Sequence, residues 1–241
     1  MKIHVLFTPN NVDELYFTGK TTVVIDVLRA TTVIATALNN GAKEVIPVST
    51  VDFAMKISGS AFSGYTLLCG ERNTKKVEGF TLGNSPLEYT KETISGKSII
   101  LYTTNGSKAI VKAKFSENTF TCSFNNLGAV AKHLAELGKD FEIVCSGSNG
   151  MFSLEDAVCA GKLIAEISKT FPDVELSDAS IASVILNDTF GGEVAKMLRE
   201  SEHGKLLMEN GFDTDIDVCA ELSIIDIIPS YVSGTIKKLD A

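Results

Sequence analysis

The stretch Thr22–Leu38 constrains the fold most tightly. Val23, Val24 and Ile25 form an unbroken β-branched run of the kind found in parallel strands covered on both faces. Asp26-Val27-Leu28-Arg29-Ala30-Thr31-Thr32 follows. The pattern then turns helical through Val33, Ile34, Ala37 and Leu38 and stops at Asn39-Asn40-Gly41. An acid and an arginine three residues apart therefore stand where a buried strand gives way to a helix N-terminus. In open α/β sheets ligands bind at that carboxyl edge.

The layout recurs twice. Ile99–Tyr102 runs into Thr103-Thr104-Asn105-Gly106-Ser107-Lys108, and Phe141–Cys145 runs into Ser146-Gly147-Ser148-Asn149-Gly150. A further apolar segment, Tyr65–Cys69, empties into the long polar loop from Gly70 to Phe80, which carries Glu71 and Arg72. Ser85, Pro86 and Glu88 then read as a capping box. Beyond Pro172 the chain reads as mostly helical to Asn210-Gly211, with apolar Ile224–Ile228 and Tyr231–Ile236 as closing strands. The expected fold is α/β: three α/β/α layers around a mostly parallel or mixed sheet, in one domain over residues 1–241. Its strand-to-helix loops cluster at one edge.

With 44% hydrophobic residues the chain can bury a large core, yet no apolar run approaches a bilayer span and no targeting segment is evident. A cytoplasmic protein without a membrane partner is expected. A net charge of −8 argues against a nucleic-acid partner. Five scattered cysteines without a C-x-x-C suit a reduced compartment. A homo-oligomer is compatible with this composition.

Each strand-to-helix turn offers free backbone N–H groups to an anion, although ordinary capping calls on the same residue types. Three such turns, together with Arg29 and Arg72, two of only three arginines, favour a shared site for a small anionic phosphorylated ligand. Familiar phosphate motifs fail. Cys145 to Met151 has the outline of a cysteine phosphatase loop, but Met151 replaces the required arginine. Asn105-Gly106-Ser107-Lys108 lacks the Walker glycine, since Leu101 stands in its place. Leu28 stands where an aspartyl-phosphate hydrolase needs its second aspartate. Asp213, Asp215 and Asp217 imitate an EF-hand, but Val218 and Ile224 break it, so the segment reads as a solvated acidic loop. His4, His133 and His203 show no metal-ligand spacing and read as structural.

Asp26, Glu71, Glu155 and Asp156 remain, hard oxygen ligands on or just after the candidate loops and suited to Mg²⁺. Ser153 and Asp156 also fit a capping pair, and Glu155 suits a helix start. Asp26 is different. A carboxylate directly after Val-Val-Ile is costly to bury without a cation or several donors.

Taken together, the Asp26–Thr32 block, Gly70-Glu71-Arg72, Gly79-Phe80, Gly83-Asn84-Ser85-Pro86, Thr103-Thr104-Asn105-Gly106 and Cys145-Ser146-Gly147 with Glu155-Asp156 resemble the 2-phosphosulfolactate phosphatases. The blocks run in order from about residue 20 to 160, and Gly211, Cys219-Ala220 and Pro229 extend the likeness. The resemblance implies Mg²⁺-dependent hydrolysis of 2-phospho-3-sulfolactate, with coenzyme M biosynthesis as the setting. On that reading Asp26, Arg29, Glu71 and Arg72 are catalytic, and Asp26, Glu155 and Asp156 are metal ligands. Thr103, Thr104, Asn105, Gly106, Ser146, Gly147, Ser148 and Asn149 bind substrate. A phosphatase of another small phospho-acid, or an anion-binding protein without turnover, are the competing readings.

Overall fold

Alternating residues of the Val23–Ile25 run enter two different cores. Val23 and Ile25 join one apolar cluster and Val24 another, so the strand is covered on both faces. A computed structural model describes residues 1–61 and 65–239. Its strands are β1 (Lys2–Leu6), β2 (Thr21–Ile25), β3 (Glu44–Val48), β4 (Thr66–Arg72), β5 (Lys75–Lys76) and β6 (Ser98–Tyr102). There follow β7 (Asn118–Cys122), β8 (Phe141–Cys145), β9 (Glu175–Leu176), β10 (Pro229–Val232) and β11 (Thr235–Lys238). All belong to one sheet of order β5-β4-β6-β3-β11-β10-β7-β2-β8-β1-β9.

The sheet contains two parallel blocks, β4-β6-β3 and β7-β2-β8-β1-β9. The β10–β11 hairpin joins them through antiparallel pairings to β7 and β3. The expected closing strands thus lie in the middle of the sheet. Only the second of the two segments forms strands, while Ile225 and Ile227 of the first are buried against the core as irregular chain.

The helices are α1 (Ala30–Asn39), α2 (Val51–Ala61), α3 (Lys91–Ile94), α4 (Gly106–Lys112) and α5 (Leu127–Leu137). Then come α6 (Leu154–Ser168), α7 (Asp178–Phe190), α8 (Val194–Glu200), α9 (Glu202–Glu209) and α10 (Asp213–Ala220). Helices α1 and α4 share one core cluster with β2, β3 and β6; α5, α6 and the C-terminal helices share the other with β1, β7 and β8. This is the expected three-layer α/β/α arrangement. Gly161 lets α6 and α7 approach closely, since a Cβ there would collide with the Ser183 carbonyl oxygen. Among the described residues no helix is long and apolar enough to cross a membrane.

Two local expectations are corrected. The Gly70–Phe80 segment is a hairpin, with Glu71 opposite Lys76 and Arg72 opposite Lys75. Asn73 and Thr74 form its turn, both at positive φ (52° and 69°), as a tight hairpin turn demands. The capping box at Ser85 does not form. The Ser85 hydroxyl donates to Asp215 Oδ1 at 2.6 Å, and Glu88 Oε2 accepts from the Gly83 amide at 2.8 Å.

Candidate active site

The turns after β2, β6 and β8 and the β4–β5 hairpin meet around a cavity of about 220 Å³. Asp26, Arg29, Glu71, Thr103, Thr104, Asn105, Ser148 and Asn149 line it, joined by Asn73, Thr74, Asn84, Leu28, His203 and Leu206. Asp26 follows the last residue of β2, so the strand sets the depth of its carboxylate. Its Oδ1 accepts from the Ala30 amide at 3.0 Å, while Oδ2 has no hydrogen-bond partner among the described residues. Gly106 packs against this carboxylate so closely that a Cβ would strike Asp26 Oδ2 and Ala30 Cβ. Burial raises the Asp26 carboxyl to about 7. The Ala30 amide opposes that rise, and the nearby charges of Glu71 and Glu155 reinforce it.

The other acids are held differently. Glu71 Oε1 accepts from the Thr104 amide at 2.7 Å; Oε2 accepts from the Thr74 amide at 2.9 Å and the Thr104 hydroxyl at 3.1 Å. Asp156 accepts from the Val27 amide at 2.9 Å and the Gly147 amide at 3.2 Å, one on each oxygen. Its carboxyl is pushed well above the usual range by burial, and further by Asp26 and Glu155. Ser153 does cap α6 through the Asp156 amide, but the Asp156 side chain ties the β2 and β8 turns together. Glu155 is buried, and its carboxylate accepts no hydrogen bond among the described residues. The turn amides expected to face an anion at Thr104 and Gly147 are thus occupied by the protein's own carboxylates.

Arg29 is 1% exposed. One terminal nitrogen pairs with Asp215 Oδ2 at 2.5 Å and the other donates to the Thr74 carbonyl at 3.0 Å; the guanidinium lies over the Phe212 ring at 4.2 Å. The peptide between Leu28 and Arg29 is cis. Arg72 lies apart from this cavity: exposed at the end of β4, with its guanidinium 5.9 Å from the Tyr102 ring. Ser146 and Gly147, also expected to bind substrate, do not line this cavity. Cys145 is fully buried, and burial pushes its thiol well above the usual range, as suits a core residue.

Asp215 contradicts its expected role, and His203 and Asn84 line the cavity without having been singled out as site residues. Asp215 is not in a solvated loop. It occupies the first turn of α10 and is 1% exposed, clamped between Arg29 and Ser85. Ile216 and Cys219 are buried beside it, and this one-sided helical pattern was the available signal. His203 lies on the cavity wall because the Ser201 hydroxyl caps α9 through the Gly204 amide at 3.0 Å, which places His203 in the first turn. Burial lowers its imidazole from the ordinary range. Asn84 is a third addition, with a buried Oδ1 lacking a partner.

Among the described residues no three His, Cys, Asp or Glu side chains converge into a complete metal cage. Mg²⁺ commonly takes only one or two carboxylates, with water and substrate phosphate completing its shell. Asp26 and Glu155, the buried acids with uncommitted oxygens, fit that demand. Glu71 and Asp156 have their oxygens engaged by donors of the protein.

Fold and cavity define an α/β protein with an acid-rich pocket at its strand-to-helix turns, built for a small polar ligand. The family model described as 2-phosphosulpholactate phosphatase matches residues 6–234, and the chain belongs to that family. Similar relatives include a protein of Clostridium novyi, 41% identical over 99% of this chain and 100% of its own length. One from Caldanaerobacter subterraneus subsp. tengcongensis is 40% identical over 95% of each chain. Another, from Thermotoga maritima, is 42% identical over 89% of this chain and 90% of its own. Each bears the name probable 2-phosphosulfolactate phosphatase.

Proposed function

We propose that this chain hydrolyses 2-phospho-3-sulfolactate to 3-sulfolactate and phosphate, with Mg²⁺ held by Asp26 and Glu155. The observation that carries the reading is the Asp26 carboxylate, buried at the cavity with one oxygen unpartnered and with Glu71 and Glu155 as like-charged neighbours. Such a site is costly when empty of positive charge and attracts a cation. A bound Mg²⁺ supplies Lewis-acid stabilisation of phosphoryl charge and lowers the pKa of a coordinated water.

The chain's residues supply positioning and proton handling. Glu71, fixed by the Thr74 and Thr104 amides, orients the attacking water and takes its proton. As the water oxygen bonds to phosphorus, the bond from phosphorus to the C2 oxygen of the substrate breaks. The departing oxygen takes its proton from solvent water, and His203 on the cavity wall contacts the substrate's polar groups. Arg29 adds a fixed positive charge that Asp215 holds in place, and Asn105 and Ser148 contact the substrate's polar groups. Asp156 keeps the β2 and β8 turns in register around it. A cytoplasmic setting accompanies this reading.

The test is phosphate release from purified protein, with and without Mg²⁺, on 2-phosphosulfolactate, phospholactate and phosphoglycerate. Metal-dependent turnover greatest on the sulfonate supports the reading. Preference for another phospho-acid replaces the substrate, and no release from folded protein leaves an anion-binding protein.

A further inference from the structure

A second cavity, of about 330 Å³, adjoins the first. Thr104, Asn105 and Asn149 line both. The Asn149 amide donates to the Asn105 side-chain oxygen at 3.2 Å, so the shared border is polar. The two compartments differ in charge. Asp26 and Glu71 line the first; among the described residues, two lysines and no carboxylate line the second. Lys112 is engaged, its ammonium donating to the Pro9 carbonyl at 2.5 Å. Lys108 is exposed and, among the described residues, makes no ion pair or hydrogen bond; its ammonium lies 5.9 Å from the Tyr102 ring.

Ser146 supplies the second, independent observation. It is 3% exposed and lines this cavity, and its buried hydroxyl has no hydrogen-bond partner among the described residues. A buried hydroxyl left unsatisfied is costly, so its donor is available to a ligand in that compartment.

We propose that the second cavity seats the sulfonate of the substrate while its phosphate occupies the first, with Lys108 and Ser146 as the residues that select for it. This inference rests on the phosphatase reading above. A sulfonate presents three equivalent oxygens in a pyramid. It suits a point-charge ammonium with a hydroxyl and amide donors arriving from separate directions, whereas a planar carboxylate suits an arginine fork. Thr104, Asn105 and Asn149 border both compartments, so a ligand seated at that border touches both.

The experiment compares Lys108→Met and Ser146→Ala with the unmodified enzyme on 2-phosphosulfolactate and on phospholactate, which lacks the sulfonate. Lys108→Met is expected to lower kcat/KM on the sulfonated substrate about 10- to 100-fold, mostly through KM, the size of a lost charge-assisted hydrogen bond. The loss on phospholactate stays several-fold smaller, so the ratio between substrates collapses. Ser146→Ala shifts the same ratio in the same direction by less. Equal losses on both substrates overturn the proposal.

Calorimetric binding of sulfolactate and lactate keeps the test independent of turnover. Sulfolactate binding that weakens at least about tenfold in Lys108→Met, a difference of roughly 1.4 kcal/mol, supports the subsite even in a protein without phosphatase activity. Unmodified protein that binds sulfolactate no better than lactate overturns it, whatever the phosphate assay reads.

Discussion

Two buried carboxylates at opposite ends of neighbouring strands show how a site differs from a scaffold. Glu142, at the amino end of β8, accepts from His4 Nδ1 at 2.9 Å, the Tyr16 hydroxyl at 3.0 Å and the Lys20 ammonium at 2.7 Å. It borders a cavity of about 670 Å³, three times the volume of the one at Asp26. Asp26, just past the carboxyl end of β2, has one amide donor and acidic neighbours. Charge in the larger cavity is compensated within the fold; in the smaller it is left for a ligand. Uncompensated charge, rather than volume, marks the proposed functional end of this sheet.

Exchanging the two acids for amides is the sharpest way to break that contrast. Asp26→Asn retains the Oδ1 acceptor for the Ala30 amide and removes the charge. Phosphate release should fall on the order of 10³-fold, the scale of losing one central electrostatic group. Glu142→Gln should leave kcat/KM within about twofold and lower stability by about 1–3 kcal/mol, because the Lys20 and Tyr16 donors lose their charged acceptor. Steady-state kinetics and urea unfolding of both variants decide the matter. A large kinetic loss in Glu142→Gln would show that the two ends are not separable.

Much of this contrast could be read from the residue order. The apolar run before Asp26 identified a buried strand, and burial made its carboxylate conspicuous. The three strand-to-helix turns were legible as well, because parallel strands and capping residues leave strong local patterns. What could not be read was long-range partnering. Glu71 and Asp156 read as candidate metal-binding acids, yet backbone amides from the Thr74, Thr104, Val27 and Gly147 positions engage them. Arg29 looked free to meet phosphate until Asp215, 186 residues away, was found against it. Spacing along a chain carries no record of such meetings. His203 was missed for the same reason, since α9 folds back over the β2 turn.

Helix α10 offers the next comparison, between acids two residues apart. Asp215 forms a buried pair with Arg29, with side chains 2% and 1% exposed; Asp217 meets Arg199 at 2.6 Å with side chains 61% and 35% exposed. Removing one partner of a buried pair leaves an uncompensated charge, at a cost of about 3–5 kcal/mol. Asp215→Asn should therefore lower stability by roughly 3 kcal/mol and reduce kcat as Arg29 loses its anchor. Asp217→Asn should change stability by less than about 1 kcal/mol. Thermal unfolding checks both, and equal shifts would remove Asp215 from its positioning role.

The smallest effect concerns protons and separates the two carboxylate environments without any substrate. The Asp26 carboxyl titrates near 7 in the folded, cation-free protein, against about 3.8 in an ordinary aspartate. The folded state thus holds this proton more tightly than the unfolded chain. The stability this confers is fully present below about pH 4 and is lost as the pH rises through 7. Asp26→Asn cannot titrate there. Its melting temperature relative to the unmodified protein should climb between about pH 4 and 7 and level off above. Adding Mg²⁺ at pH 8 should restore the unmodified protein and leave Asp26→Asn unmoved, because a cation bound at the carboxylate offsets the charge that folding buries. A melting difference that is flat across this range would place the Asp26 charge in a compensated environment like that of Glu142, and the distinction between the two ends of the sheet would fall with it.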